Sequence, residues 1–247
     1  WAGYFEVEDT QKQSGGTLLH IGRIGAGILR LSDRVTAQVD STERKASARN
    51  HSATHLLHAA LRNVLGEHVQ QKGSQVNAER LRFDFSHFEP MTDEQIRQVE
   101  KMVNGQVMAG YPVDSQVMTI DEAKATGAMA LFGEKYGDEV RVVRMDSFST
   151  ELCGGTHVAT TAEIGLLRLL SEGGVAAGVR RIEAVTGEKA LAYVESREQT
   201  LQQLSSLVKA SRETVGDKVG VLVEQNRKLE KELERLKSKL ANSTDRK

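Results

Sequence analysis

The sequence predicts an α+β fold: an antiparallel sheet with helices, preceded by β-barrel strands and followed by a long coiled-coil-like helix. Three observations carry this expectation. Over residues 4–39, short apolar–polar alternations sit between glycine-rich turns, as short strands of a small barrel or sheet do. Over residues 41–190, helical and strand patterns mix without a regular strand–helix–strand period, which argues against a parallel sheet. From Glu188 glycine becomes rare, and beyond Leu201 apolar residues recur at helical spacing. The expected domains are 1–40, partial barrel strands; 41–190, a chemical domain; and 191–247, a long helix.

The first strands are read at 4–8, 18–21, 28–31 and 35–39. Asp40 or Ser41 is placed to cap a helix running to about Leu65, where Gly66 ends it. Leu81–Ser86 alternates as a strand. Thr92-Asp93-Glu94-Gln95 is a capping-box pattern, followed by an apolar stripe of Ile96, Val99, Met102, Val103 and Val107. Residues 112–120 and 140–145 read as strands, with a short helix at 121–126, and 164–170 and 179–185 read as a final strand pair around Gly173-Gly174. In the tail, Val219, Leu222, Asn226, Leu229, Leu233, Leu236 and Leu240 alternate three- and four-residue steps, a heptad seam flanked by Glu and Lys. One helix cannot bury such a seam, so a homodimer through residues 219–240 is expected, with Asn226 favouring an in-register pair.

With 33 basic and 34 acidic residues the net formal charge is −1, so this is no polyelectrolyte binder and any RNA contact must come from local patches. The single cysteine excludes an internal disulfide and fits a reducing, cytoplasmic setting. Neither a signal peptide nor a bilayer-spanning apolar run is found, so no membrane partner is expected. No methionine opens the chain, which starts at Trp1 and reads as a piece of a longer protein.

Two short pairings carry the chemistry. In His51-Ser52-Ala53-Thr54-His55, a helical pattern sets two imidazoles one turn apart on one face. In Cys153-Gly154-Gly155-Thr156-His157, the lone thiol and an imidazole flank two glycines suited to a tight turn. One sulfur and three nitrogens suit tetrahedral zinc, Zn2+, at one ion per chain. Roughly a hundred residues separate the pairs, so this is no zinc finger. A zinc protease is excluded as well, because Ser52 stands where that chemistry needs a glutamate.

The segments around these pairs resemble the editing domain of bacterial-type alanyl-tRNA synthetases. The resemblance rests on Asn50-His51-Ser52-Ala53-Thr54-His55-Leu56-Leu57-His58, Gln71-Lys72-Gly73-Ser74, Leu81-Arg82-Phe83-Asp84-Phe85-Ser86-His87, Ser149-Thr150-Glu151-Leu152-Cys153-Gly154-Gly155-Thr156-His157 and Gly178-Val179-Arg180-Arg181-Ile182-Glu183-Ala184-Val185-Thr186-Gly187. These motifs occur in order, from about residue 33 to 190. Free-standing alanyl-tRNA editing proteins and the threonyl-tRNA synthetase editing domain share the metal pairs but are more distant.

The resemblance implies an aminoacyl-tRNA deacylase within an alanine–tRNA ligase that uses ATP, acting on the acceptor end of tRNA(Ala) carrying serine or glycine. Discrimination against an added hydroxyl by a methyl-shaped pocket is weak, about two orders of magnitude, so a second hydrolytic site is needed. Thr54 is the natural hydroxyl to read serine, and Gln71 and Ser74 follow from the family segment. Lys72, Arg82, Arg180 and Arg181 are candidate tRNA contacts, although in an alternating strand Arg180 and Arg181 face opposite ways. His58 is a spare ligand or, as preferred here, packs or hydrogen-bonds, and His87 is read as a loop residue, while Glu151 and Asp84 either position water or, as preferred here, form structural ion pairs. The competing reading is a non-catalytic RNA-binding or coiled-coil scaffold whose zinc is structural.

Overall fold

The computed structural model of the chain describes residues 3–13, 15–129 and 137–244; Trp1 and the last three residues of the tail lie outside the described residues. The chain divides into two compact units, Trp1–Asp40 and Ser41–Lys247.

In the first unit, β1 (Tyr4–Lys12) and β2 (Leu18–Ala26) form an antiparallel hairpin with register shifts between Tyr4 and Phe5 and between Val7 and Asp9. The two further strands expected at 28–31 and 35–39 do not form. A strand needs a neighbour for its N–H and C=O groups, and among the described residues neither segment has one. A turn intervenes instead: Asp33 N–H donates to Arg30 O at 3.2 Å and Arg30 N–H to Asp33 Oδ2 at 2.7 Å. The alternation of apolar residues there is real but serves no pairing, and Leu31 is 99% exposed. The described residues of this unit therefore form a hairpin, where barrel strands were expected.

The second unit is built on a four-stranded antiparallel sheet in the order β3 (Gln71–Val76), β4 (Leu81–Ser86), β9 (Val179–Thr186), β8 (Leu167–Ala176). Helix α1 (Ser41–Leu65) crosses it, ended by Gly66 at φ +117, and α2 (Asp93–Ala109) packs beside α1 and against β8. The Thr92/Gln95 capping box is present in both directions, and Val99, Val103 and Val107 are buried. Leu56, Leu57 and Leu61 of α1 meet Leu81, Phe83, Phe85 and Ile182 of the sheet in one core.

A second sheet orders β5 (Val113–Thr119), β6 (Glu139–Met145) and β7 (Ser149–Leu152), with α3 (Ile120–Ala125) laid on it. Strand β6 serves two cores through the two-residue period. Val140 and Val142 join Ala123 and Leu152, while Val143 and Met145 enter the main core. The final strand pair starts later than expected, because Thr161–Ile164 forms a 3-10 turn and β8 begins at Leu167.

The expected single tail helix is two helices, α4 (Gly187–Val208) and α5 (Val215–Thr244). Lys209 adopts φ 53 and ends α4, and Ser211 N–H donates to Thr214 Oγ1 at 3.2 Å before α5 starts. Arg212 fastens the junction through Glu198 Oε2 at 2.7 Å and Gln202 Oε1 at 2.9 Å. No glycine or proline marks this break, which is why helical spacing read straight through it. Helix α4 leans on β8 and β9, with Ala190 buried, whereas Leu229, Leu233 and Leu236 of α5 are exposed.

Candidate metal centre

Helix α1 presents His51, His55 and His58 at successive one-turn intervals. Across from it, Glu151 pairs with Val143 of β6, and Cys153 N–H donates to Arg141 O at 2.9 Å, extending the ladder. The two-residue period therefore turns Glu151 and Cys153 to one face, towards α1. His157 arrives after a turn through Gly154 and Gly155. Neither glycine has a positive φ, so their expected conformational role is replaced by clearance at Gly155. A Cβ there would stand 2.0 Å from His51 Cε1, whereas Gly154 has open space. Arg141, unforeseen from the sequence, holds the turn by donating to Gly155 O at 2.5 Å.

The ligand atoms of His51, His55, Cys153 and His157 all lie within 4.8 Å of one another. Cys153 Sγ is 3.4 Å from Nε2 of His51 and 3.4 Å from Nε2 of His157. Tetrahedral coordination with metal–sulfur near 2.3 Å and metal–nitrogen near 2.0 Å sets such edges at roughly 3.5 Å. His55 Nε2 is buried without a hydrogen-bond partner, an orphan that a metal ion would satisfy. The donor set and its spacing fit a tetrahedral metal.

Each imidazole turns Nε2 inward because its Nδ1 is engaged outside. His51 Nδ1 meets Thr156 O at 3.2 Å, His55 Nδ1 meets Glu151 Oε2 at 2.6 Å, and His157 Nδ1 meets Ser52 Oγ at 3.1 Å. Outer partners of this kind fix tautomer and ring orientation. Ser52, which excluded the protease reading, thus positions His157 and also accepts Val158 N–H at 3.2 Å. Glu151 is the hub: its other oxygen meets His58 Nδ1 at 3.0 Å, and it is fully buried.

Burial alone would raise the Glu151 carboxyl and lower His55, but their mutual attraction and hydrogen bonds prevail. Against burial, His55 and His58 hold Glu151 at about 2, and Glu151, aided by Cys153, lifts His55 to about 10. Burial likewise opposes the Cys153 thiolate, yet hydrogen bonds from His157 and His51, with the positive charge of His55 beside them, bring the thiol down to about 3. Desolvation pushes His157 below its usual value and keeps it neutral. The metal-free site therefore sets the Cys153 thiolate beside the buried imidazolium of His55.

Thr54 is buried on α1, and its hydroxyl donates to Asn50 O at 2.8 Å. Gln71 lies opposite Phe85 and Ser74 opposite Phe83, because a bulge at Lys72 shifts the register between Gln71 and Gly73. Three residues apart, they would otherwise face opposite sides; the bulge brings both to the face of the buried phenylalanines. His58 reaches the same region, its ring 5.3 Å from Phe83. The structure brings Arg82 and Arg181 together at Asp84 and sets Arg180 apart from them. Arg181 binds Asp84 through two nitrogens at 2.7 and 2.8 Å, and Arg82 also approaches Asp84, at 3.8 Å. Hydrogen bonding from Arg181 holds the Asp84 carboxyl below its usual range. Arg180, on the opposite face, forks onto Glu172 with one nitrogen at 2.7 Å.

The family described as the threonyl and alanyl tRNA synthetase second additional domain matches residues 140–183, which run from β6 through the Cys153 turn into β9. The chain is 58% identical over 241 residues to an alanine–tRNA ligase of Saccharophagus degradans, 97% of this chain and 27% of that protein. It is 56% identical to the alanine–tRNA ligases of Delftia acidovorans, over 239 residues, and Idiomarina loihiensis, over 237 residues. The matched segment, which carries Cys153 and His157, is thus similar to a synthetase-associated domain. More particularly, the chain is similar over nearly its whole length to alanine–tRNA ligases, and it spans about 27% of the length of these relatives. Among the described residues no helix is long and apolar enough to cross a membrane.

Proposed function

We propose that residues 41–190 form a cytoplasmic editing site that hydrolyses the ester of Ser-tRNA(Ala) and Gly-tRNA(Ala), in a protein that as a whole joins alanine to tRNA(Ala) using ATP. The observation that supports this best is the convergence of His51, His55, Cys153 and His157 within 4.8 Å, which fits zinc by donor type. His51, His55, Cys153 and His157 would hold the zinc, which would supply Lewis acidity at the ester.

The chain's own groups do the selecting. Thr54 gives its proton to Asn50 O, so its oxygen keeps lone pairs to accept the hydroxyl proton of an esterified serine. Gln71 and Ser74 add polar atoms along the bulged strand. Alanine and glycine lack that hydroxyl, so this contact selects the seryl ester over the alanyl one and plays no part in hydrolysis of the glycyl ester. Glu151 and Ser52 keep His55 and His157 in position throughout.

Deacylation of Ser-tRNA(Ala) against Ala-tRNA(Ala) by the purified chain tests the assignment; equal rates on the two would refute it. Thr54→Val keeps the shape and removes the hydroxyl. The variant is expected to lose roughly tenfold in preference for the seryl ester, the value of one hydrogen bond of about 1.4 kcal/mol. Unchanged selectivity would remove Thr54 from the reading.

The tail is assigned to self-association. The seam from Val219 to Leu240 carries Leu229, Leu233 and Leu236 at 64%, 53% and 55% exposure, so a second copy of α5 would bury them. Light scattering at micromolar concentration is expected to show a dimer, abolished by ending the chain after Thr214. A monomer at every concentration would overturn it.

A further inference from the structure

Beside the metal cluster lies a groove of about 490 Å³ lined by Arg44, Lys45 and Arg49 of α1, by Thr156 and His157 of the Cys153 turn, and by Glu163. We propose that this groove takes the sugar–phosphate strand immediately before the esterified ribose of the RNA, with Arg44 and Lys45 as its phosphate contacts. The inference rests on the editing reading and names the part of the substrate that the metal cluster and Thr54 do not touch.

The charges decide the class of ligand. Among the described residues Arg44 and Lys45 have neither an ion pair nor a hydrogen bond, and both are exposed. Arg49 donates from Nε to a carbonyl, Glu163 O, at 3.1 Å, which leaves its charge uncompensated. Glu163 is the one carboxylate in the lining, so three cations face one anion. The start of the 25-residue helix α1 adds the positive end of its dipole on the same side. Arg180 and Arg181 are different in kind: Glu172 and Asp84 are paired with them, and Arg82 shares Asp84 at 3.8 Å. In a chain of net charge −1, a cluster of uncompensated cations is a local exception that suits a polyanion.

Geometry links the groove to the chemistry. Ser41, Lys45, Ala48 and Ser52 follow one stripe of α1, and Ser52 binds His157 at 3.1 Å. Arg44 precedes His51 by seven residues, roughly 10 Å of helix, and His157 closes the groove at the cluster end. A strand lying in the groove therefore ends at the metal ligands. The ribose that carries the ester is joined to the rest of the RNA through its 5′ phosphate, so the last phosphodiesters must approach along a path such as this one.

The test uses the full chain with Arg44→Ala/Lys45→Ala and Arg44→Glu/Lys45→Glu. Binding of uncharged tRNA(Ala) is expected to weaken about tenfold in the alanine pair and further in the glutamate pair, and the slope of log affinity against log salt to fall by about two. On Ser-tRNA(Ala) the loss should fall on KM and leave kcat, while a seryl ester of adenosine, which has no phosphate, shows no loss. Wild-type affinity and salt slope in the glutamate pair would overturn the proposal, as would an equal loss on the adenosine ester. If the wild-type chain hydrolyses neither ester, the editing reading fails, and the RNA-binding arm still decides the groove.

Discussion

Cys153→Ala is expected to abolish stoichiometric metal binding and to remove the stabilisation that metal gives this fold. The thiolate is the centre of the cluster: it lies 3.4 Å from two of the three imidazole nitrogens, and all four ligand atoms fall within 4.8 Å. Loss of a mere outer partner costs about 10–100-fold in metal affinity, and loss of a ligand costs more. The site joins α1 to the turn after β7, segments that no hairpin connects, so bound metal stabilises folded over unfolded chain. At free metal a hundred times its dissociation constant that linkage amounts to about 2.7 kcal/mol, or roughly 5–10 °C in melting temperature. Wild-type protein should show this upward shift on adding zinc after chelation, and Cys153→Ala should not. Full metal content in the variant, by elemental analysis, would exclude the thiolate as a required ligand.

The four ligands were legible because they repeat on short periods: a four-residue step on a helix, and Cys-Gly-Gly-Thr-His across a turn. Their convergence was legible only as chemistry, since donor types that suit one ion suggest one place. What holds them is legible only in part: Glu151 reads as an ion-pair member and His58 as a packing or hydrogen-bonding residue, but neither reading names a partner. Glu151 stands two residues before Cys153, and a strand's period alone places both side chains on one face; which face needed the pairing with Val143. His58 shows no pattern apart from its one-turn step, and its partnership with Glu151 needed the fold. The bulge at Lys72 is another case, for local sequence marks it only by Gly73, yet it decides that Gln71 and Ser74 share a face. Capping signals worked where side chain and backbone close a local loop, as at Thr92 and Gln95. Periodicity misled where pairing or a cap was decisive, at the unpaired stretch 28–39 and at the break after Lys209.

Glu151→Gln is expected to have the second large effect, and its sign depends on pH. In the metal-free protein His55 and His58 hold the Glu151 carboxyl at about 2 instead of 4.5, and Glu151 lifts His55 from 6.5 to about 10, in each case against the opposing pull of burial. A carboxyl lowered on folding stabilises the fold above its unfolded value of 4.5 and gives this up as pH falls towards 2. An imidazole raised on folding stabilises fully below 6.5 and loses this as pH climbs towards 10. The pair's contribution is thus complete between 4.5 and 6.5 and declines on both sides. Glutamine leaves two buried imidazoles without their acceptor charge, and breaking a buried pair in this way costs about 3–5 kcal/mol. Urea unfolding of chelated protein should show that loss at its largest within this window, shrinking towards either extreme. The same pair governs metal uptake. A ligating His55 must be neutral at Nε2, whereas Cys153, at about 3, is already a thiolate at pH 7. Zinc binding by wild-type protein should therefore release about one proton, from His55, measurable by calorimetry in buffers of different ionisation enthalpy. Release close to zero in Glu151→Gln, where the imidazole is no longer held charged, would complete the assignment; an unchanged proton count would sever His55 from Glu151.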